Sequence, residues 1–136
     1  MELNQVTLPV TDVGRAVAFY RRLGFRQIVS SSHYARFECR EGGPSFSVHA
    51  VEHAIGSNGV IVYFECDNVD ECVAQLQDKG IVFDREPTDQ RWLWREARLR
   101  DPDGNELCLY HAGVNRLHPP WRIDQTDPAR GESPRN

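Results

Sequence analysis

The chain has 136 residues, 40% of them hydrophobic and 26% charged, which suffices for one compact domain with a real core. A formal net charge of -4, a pI near 5.7 and no Lys/Arg stripe argue against a nucleic-acid partner. No apolar run is long enough to span a bilayer, and the opening Met1-Glu2-Leu3-Asn4-Gln5 lacks a basic and then apolar leader; the expectation is a cytoplasmic protein with no membrane partner.

Residues 3–10 read as a strand, with Val6, Leu8 and Val10 on one face and Gln5, Thr7 and Pro9 on the other. Thr11 or Asp12 caps the helix that follows, Ala16, Phe19, Tyr20 and Leu23 give its apolar stripe, and Gly24 ends it. Strands are expected over 25–30, 34–40 and 45–51, with Glu41-Gly42-Gly43-Pro44 as a turn and 53–59 as a linker. A second set follows: a strand over 60–66, a helix over 69–79, and strands over 81–85, 92–99 and 106–111. Asp101-Pro102-Asp103-Gly104-Asn105 marks the last turn. Past Gly113 the pattern dissolves; Leu117-His118-Pro119-Pro120-Trp121-Arg122 is expected to fold back, and the polar chain beyond about 123 reads as disordered. Cys39, Cys66, Cys72 and Cys108 make no Cys-x-x-Cys pair and no zinc-finger spacing, so neither a disulfide framework nor structural zinc is expected.

The second set repeats the first. Adding 56 to Asp12, Val13, Val17, Tyr20, Gly24 and Phe25 gives Asn68, Val69, Val73, Leu76, Gly80 and Ile81. Later the offset is 61, so that Gly43 and Ser47 fall on Gly104 and Cys108, which implies about five extra residues near 91–96. The chain is therefore α+β: two βαβββ modules, about 3–52 and 60–111, forming a cupped mixed sheet in a single domain over 1–112, with 113–136 as an extension.

Alternation sorts each strand into a face toward the helices and a face away from them. Val6, Leu8, Phe19, Val62, Phe64, Val73, Leu76, Leu107 and Leu109 are the expected core, with Leu93, Ala97 and Leu99 joining it from 92–99. The other face gathers Gln5, Thr7, Ser47, His49, Ile61, Tyr63, Glu65, Trp92, Trp94, Glu96, Arg98, Cys108 and Tyr110. So much aromatic area is unusual on a solvated sheet and points to a ligand site or a dimer interface. The ligand reading takes Trp92, Trp94, Tyr63, Tyr110 and His49 as the lining, with Arg98 and Glu65 as charged anchors.

Leu3-Asn4-Gln5-Val6-Thr7-Leu8-Pro9-Val10-Thr11-Asp12, then Ala18-Phe19-Tyr20-Arg21-Arg22-Leu23-Gly24-Phe25, resemble the opening of the vicinal oxygen chelate superfamily. Ala97-Arg98-Leu99-Arg100-Asp101-Pro102-Asp103-Gly104-Asn105 resembles its closing signature. That group holds glyoxalase I, bleomycin-resistance proteins, extradiol dioxygenases and fosfomycin-resistance thiol transferases. The resemblance implies a homodimer with a small-molecule ligand inside the cup. Its metal-using members hold a divalent ion through first and last strands, here Gln5 and Ile61 with Ser47 and Cys108, or with His49 and Tyr110 two residues along. Ile61 offers no donor, so no metal cofactor is expected; an ion, if bound, would be held by Gln5, His49 and Glu65.

Catalytic candidates are Glu65 and Glu96 as an acid–base pair and Cys108 as a thiolate beside Arg98. The competing readings make Cys108 a pocket filler and Glu96 the neutraliser of Arg95 or Arg98. Two functions stand. One is a protein that sequesters an aromatic or anionic compound, of the bleomycin-resistance type; the other is a metal-dependent lyase, isomerase or dioxygenase with an atypical ligand set.

Overall fold

The computed structural model of the protein describes residues 1–123. Its elements run β1 (Gln5–Val10), α1 (Val13–Arg22), β2 (Arg26–Ser30), β3 (Tyr34–Glu38), β4 (Ser45–Ala50), β5 (Ile61–Glu65), α2 (Val69–Asp78), β6 (Arg85–Asp89), β7 (Arg95–Arg100) and β8 (Glu106–His111), closed by a single 3₁₀ turn, Gly113–Arg116. The two four-stranded sheets have the same order, β1-β4-β3-β2 and β5-β8-β7-β6, so the repeat read from the sequence is a repeat of topology. The chain forms two compact units, Met1–Ile61 with Arg100–Glu106, and Val62–Leu99 with the chain from Leu107 on. The disorder expected beyond about 123 falls outside the described residues.

In the first unit Asp12 caps α1, its Oδ1 accepting from the Arg15 N–H at 3.0 Å, while Arg21 and Arg22 complement the dipole at the other end. Gly24 follows at φ 104, a left-handed position that a side chain would strain, and lets the Phe25 N–H turn back to the Tyr20 carbonyl. β1 runs parallel to β4, and β3 antiparallel to it, which sends Leu8, Val10, Ala35, Phe37, Phe46 and Val48 into one core with Ala16 and Tyr20 of α1. Phe37 and Phe46 stack with centroids 5.0 Å apart, and Tyr20 meets the edge of Phe46 at 5.0 Å.

The Tyr20 hydroxyl lies inside this core, and its partner comes from far along the chain. It donates to Asp101 Oδ2 at 2.7 Å. Asp101 also accepts from the N–H groups of Asp103 and Asn105, each at 2.9 Å, and from Asn105 Nδ2 at 2.8 Å. Asp103 Oδ1 in turn takes the Thr11 N–H at 3.0 Å and hydroxyl at 2.6 Å, and Asn105 Nδ2 donates to the Pro9 carbonyl at 2.9 Å. Thr11 thus does not cap the helix; it holds the turn. Burial, and then the Asp101 charge, push the Tyr20 phenol well above its ordinary pKa.

In the second unit Asn68 caps α2 through the Glu71 N–H at 3.1 Å, and Val69, Val73, Leu76 and Ile81 are buried with Ala97, Leu99, Leu107 and Leu109. Arg95 of β7 takes both carboxylate oxygens of Asp70 on α2, at 2.6 and 2.8 Å, and Asp89 at 3.0 Å.

Several expectations need correction. The strand expected over 81–85 is β6, Arg85–Asp89, while 81–84 is irregular chain. The one expected over 92–99 starts at Arg95, because Gln90 to Trp94 form a hairpin loop closed by the Gln90 N–H on the Trp94 carbonyl at 2.8 Å. Leu93 sits there at φ 68 and 48% exposed, not in the core. The offset is 56 across the helices, 59 at the starts of β2 and β6, and 61 at those of β4 and β8. The added residues are therefore divided between the helix–strand connection and the hairpin, not confined to 91–96. Val6, Val62 and Phe64, on the end strands β1 and β5, are only half-buried, as is Phe19.

A buried hydrogen bond to a charged group is worth about 1.5–3 kcal/mol, so Tyr20→Phe should cost that much in urea unfolding. Asp101→Ala, which orphans three further donors, should cost more than Tyr20→Phe. A Tyr20→Phe loss below about 0.5 kcal/mol would show that the turn does not support this core.

Candidate functional site

The face of the second sheet turned from α2 carries most of the chemistry. Ala97 and Leu99 point inward from β7, so alternation turns Trp94, Glu96 and Arg98 to the opposite side, beside Cys108 and Tyr110 of β8 and Tyr63 of β5. Trp94 stacks on Tyr110 with centroids 4.6 Å apart at 26°, and Tyr63 stands nearly perpendicular to both, at 5.8 Å from Trp94 and 5.4 Å from Tyr110. Arg98 reaches the Tyr63 hydroxyl at 3.4 Å and lies 5.7 Å from its ring centre. Trp94 Nε1 donates to the Asn115 carbonyl at 3.3 Å, so the 3₁₀ turn borders the rings.

Glu96 lies beneath this aromatic group with its side chain 2% exposed. A carboxylate so placed must be fully hydrogen-bonded, and it is. Oε2 accepts from Trp92 Nε1 at 2.7 Å; Oε1 accepts from Arg98 Nη2 at 3.2 Å and faces Cys108 Sγ at 3.7 Å. Arg98 is thus the cation that Glu96 neutralises, while Arg95 is held by Asp70 and Asp89. Burial, and then the Glu96 charge, push the Cys108 thiol up to about 12. A thiol that keeps its proton at neutral pH is a poor nucleophile, so the sulfur packs as a small polarizable group.

Tyr63, Trp92, Trp94, Glu96, Arg98, Cys108 and Tyr110 therefore meet in one unit. Glu65 belongs to the same unit but does other work. Its Oε2 accepts from the N–H groups of Ala112 at 2.8 Å and Gly113 at 2.9 Å, capping the 3₁₀ turn, with His111 and Arg116 each 3.9 Å away. Burial would raise its pKa, yet those backbone donors, with His111 and Arg116 nearby, hold the carboxyl below its usual range. Gln5 and His49 belong to the first unit. Gln5 Oε1 accepts from the Ser45 hydroxyl, and Gln5 Nε2 donates to Ser47 Oγ at 2.9 Å and Tyr34 Oη at 3.5 Å. His49 is exposed on β4, opposite Tyr34. Sequence reasoning passed over Tyr34 and Arg36, although the alternation of Tyr34, Arg36 and Glu38 against buried Ala35 and Phe37 puts them on the polar face. An open recess of about 490 Å³ lined by Gly24, Arg26, Ile28, Glu38, Cys39, Arg40 and Glu41 contains none of the expected site residues, and its charges cancel.

The model of the Glyoxalase/Bleomycin resistance protein/Dioxygenase superfamily matches residues 2–109. The uncharacterized protein YraH of Bacillus subtilis (strain 168) is 26% identical over 125 residues, covering 81% of this chain and 98% of its own. A glyoxalase/bleomycin resistance protein/dioxygenase from Nocardioides superposes with a TM-score of 0.73 at 21% identity, over 91% of this chain and 90% of that one. A bleomycin-binding protein complexed with bleomycin gives a TM-score of 0.65 at 24% identity, over 82% and 98%. At such identities the structures speak to fold.

The divalent ion that the resemblance implies does not suit the residues present. Ile61 has no donor atom, Cys108 keeps its proton against Glu96, and the carbonyl oxygen of Gln5 is engaged by Ser45. In the alternative set, both backbone bonds of the 3₁₀ cap fall on one oxygen of Glu65. Among the described residues no three His, Cys, Asp or Glu side chains come together as a metal site. Elemental analysis after incubation with zinc, nickel, manganese or ferrous salts and desalting should find no stoichiometric metal; one ion per chain that His49→Ala releases would overturn this. Native alkylation should modify exposed Cys39 first and spare Cys108 until the protein is unfolded, as mass mapping would show. Equal rates at the two would contradict the buried, protonated thiol.

Proposed function

Because the chain belongs to the Glyoxalase/Bleomycin resistance protein/Dioxygenase superfamily, whose fold leaves the chemistry open, we propose that it is a small-molecule-binding protein that holds an aromatic compound without a metal. The observation that carries this reading is the Trp94–Tyr110–Tyr63 ring group, set around a carboxylate whose partners are already in place. A flat ligand stacking there gains about 1 kcal/mol per aromatic pair beyond the area it buries. Arg98 and Trp92, fixed by Glu96, supply polar edges in constant positions, which lowers the ordering cost of binding. Affinity on the order of micromolar follows for a ligand that covers the rings. That one protein of this fold is a bleomycin-binding protein complexed with bleomycin supports a small-molecule ligand.

The competing enzyme reading needs a free base, a thiolate or a metal. Glu96 is neutralised, Cys108 is protonated, Glu65 caps a turn, and the donor set lacks its members. The binding reading takes the protein as a cytoplasmic homodimer, in keeping with four unpaired cysteines.

Tryptophan fluorescence titrated with a panel of polycyclic aromatic compounds tests it. Saturable quenching is expected, weakened about five-fold by Trp94→Phe, the equivalent of about 1 kcal/mol of stacking. Sedimentation of the same variant should be unchanged. If no compound quenches and Trp94→Phe instead weakens self-association, the rings form an interface and the proposal is wrong.

A further inference from the structure

The first unit carries a second chemistry, independent of the rings. Registers on both sides of β4 set Thr7, Ser47 and Arg36 in one row and Pro9, His49 and Tyr34 in the next, all facing away from the Tyr20–Phe37–Phe46 core. The row is built of donors. Thr7 Oγ1 and Ser47 Oγ are 2.8 Å apart, Gln5 Nε2 donates to Ser47, and Arg36 Nε donates to Tyr34 Oη at 2.9 Å with its Cζ 5.4 Å from the Tyr34 ring centre.

Arg36 differs in its charge balance from Arg26, Arg95 and Arg98 of the same two sheets. Arg26 pairs with Glu38, Arg95 with Asp70 and Asp89, and Arg98 with Glu96. Among the described residues no carboxylate lies within ion-pair distance of Arg36. Its one side-chain bond uses Nε, which leaves the two terminal nitrogens of a planar fork. Tyr34 completes the geometry. Arg36 and Gln5 donate into the lone pairs of its oxygen, so the phenolic proton remains for an acceptor from solution. A half-buried guanidinium without a counterion, beside an O–H held by other donors, matches one planar oxyanion.

We propose that Arg36 and Tyr34 form a carboxylate-binding site on the first unit, taking a small singly charged carboxylic acid through the guanidinium fork and the phenol. One cation and two converging donors suit a carboxylate rather than a doubly charged phosphate. The other ionisable groups on this face are His49, opposite Tyr34, and Glu38, whose charge Arg26 answers at 3.7 Å.

The test uses the full chain with ¹³C-labelled tyrosine, the Tyr34 signal being assigned by its loss in Tyr34→Phe. Acetate, titrated at constant ionic strength, should shift that signal saturably with a dissociation constant on the order of millimolar, while the neutral isostere acetamide should not. Arg36→Gln should weaken acetate by about ten-fold or more, the loss of a charge-assisted contact, and Arg36→Lys, which keeps charge but loses the fork, should fall between. Circular dichroism establishes that each variant is folded. If Arg36→Gln does not fold, Arg36→Lys decides, since wild-type affinity in it would discard the fork. A shift that fails to saturate, an equal response to acetamide, or an unchanged Arg36→Gln overturns the proposal. None of these results bears on ring stacking in the second unit, so the two readings fail separately.

Discussion

The Asp101 carboxylate, 5% exposed, is the constraint that the first unit is arranged around. A charge with so little access to water persists only where donors replace its hydration, and four do so: two backbone N–H groups, an Asn105 amide and the Tyr20 hydroxyl. The last of these is itself in the middle of an aromatic core, so the cost of burying a phenol and the cost of burying a carboxylate offset each other at a single 2.7 Å bond. Tyr20 and Asp101 are 81 residues apart in sequence. The first βαβββ copy therefore cannot satisfy its own core. Its helix acquires its buried partner only when the chain returns through residues 100–106, which makes assembly of that unit non-local and correspondingly slow.

Equivalent positions of the two copies show how one topology supports different chemistry. Ser47 and Cys108 are both fully buried on the face turned from the helices, each beside a charged residue of the neighbouring strand, Arg36 in the first unit and Glu96 in the second. The hydroxyl joins a chain of donors that ends on Tyr34, whereas the thiol is a weak donor that fills space next to a carboxylate. Gln5 becomes Ile61, removing the amide that organises the first face. Tyr110 then occupies the strand position that His49 holds in the first copy, and Trp94 of the loop before β7 stacks on it. Backbone register has been kept while the side chains have exchanged polar contacts for rings.

Much of this was legible from alternation alone. β8 has the bounds that its pattern predicts, and β7 parts as its alternation predicts, with Ala97 and Leu99 on one side and Glu96 and Arg98 on the other. Where alternation failed, a backbone constraint intervened. Leu93 fits an apolar period, yet the hairpin needs a left-handed residue there, and leucine accepts that strain in order to close the loop. Glu65 carries the right chemistry for an anchor, but the start of the 3₁₀ turn offers it two unpaired N–H groups, a stronger local claim than any distant ligand. Asp101-Pro102-Asp103-Gly104-Asn105 reads correctly as a turn; nothing in a local pattern reveals that its carboxylates are spent on Tyr20 and Thr11.

Charge compensation then separates scaffold from surface. Glu96, Arg98, Arg95 and Asp70 are each answered within hydrogen-bond reach, so altering one exposes the cost of its partner rather than creating a new affinity. Catalysis at neutral pH requires a group free to exchange a proton or attack, and on the second face the thiol is held protonated while the acid is held between Trp92 and Arg98. Stacking has no such requirement. It asks only that ring planes be fixed, and the hydrogen bonds that occupy Glu96 also hold Trp92 in place and set Arg98 beside Tyr63.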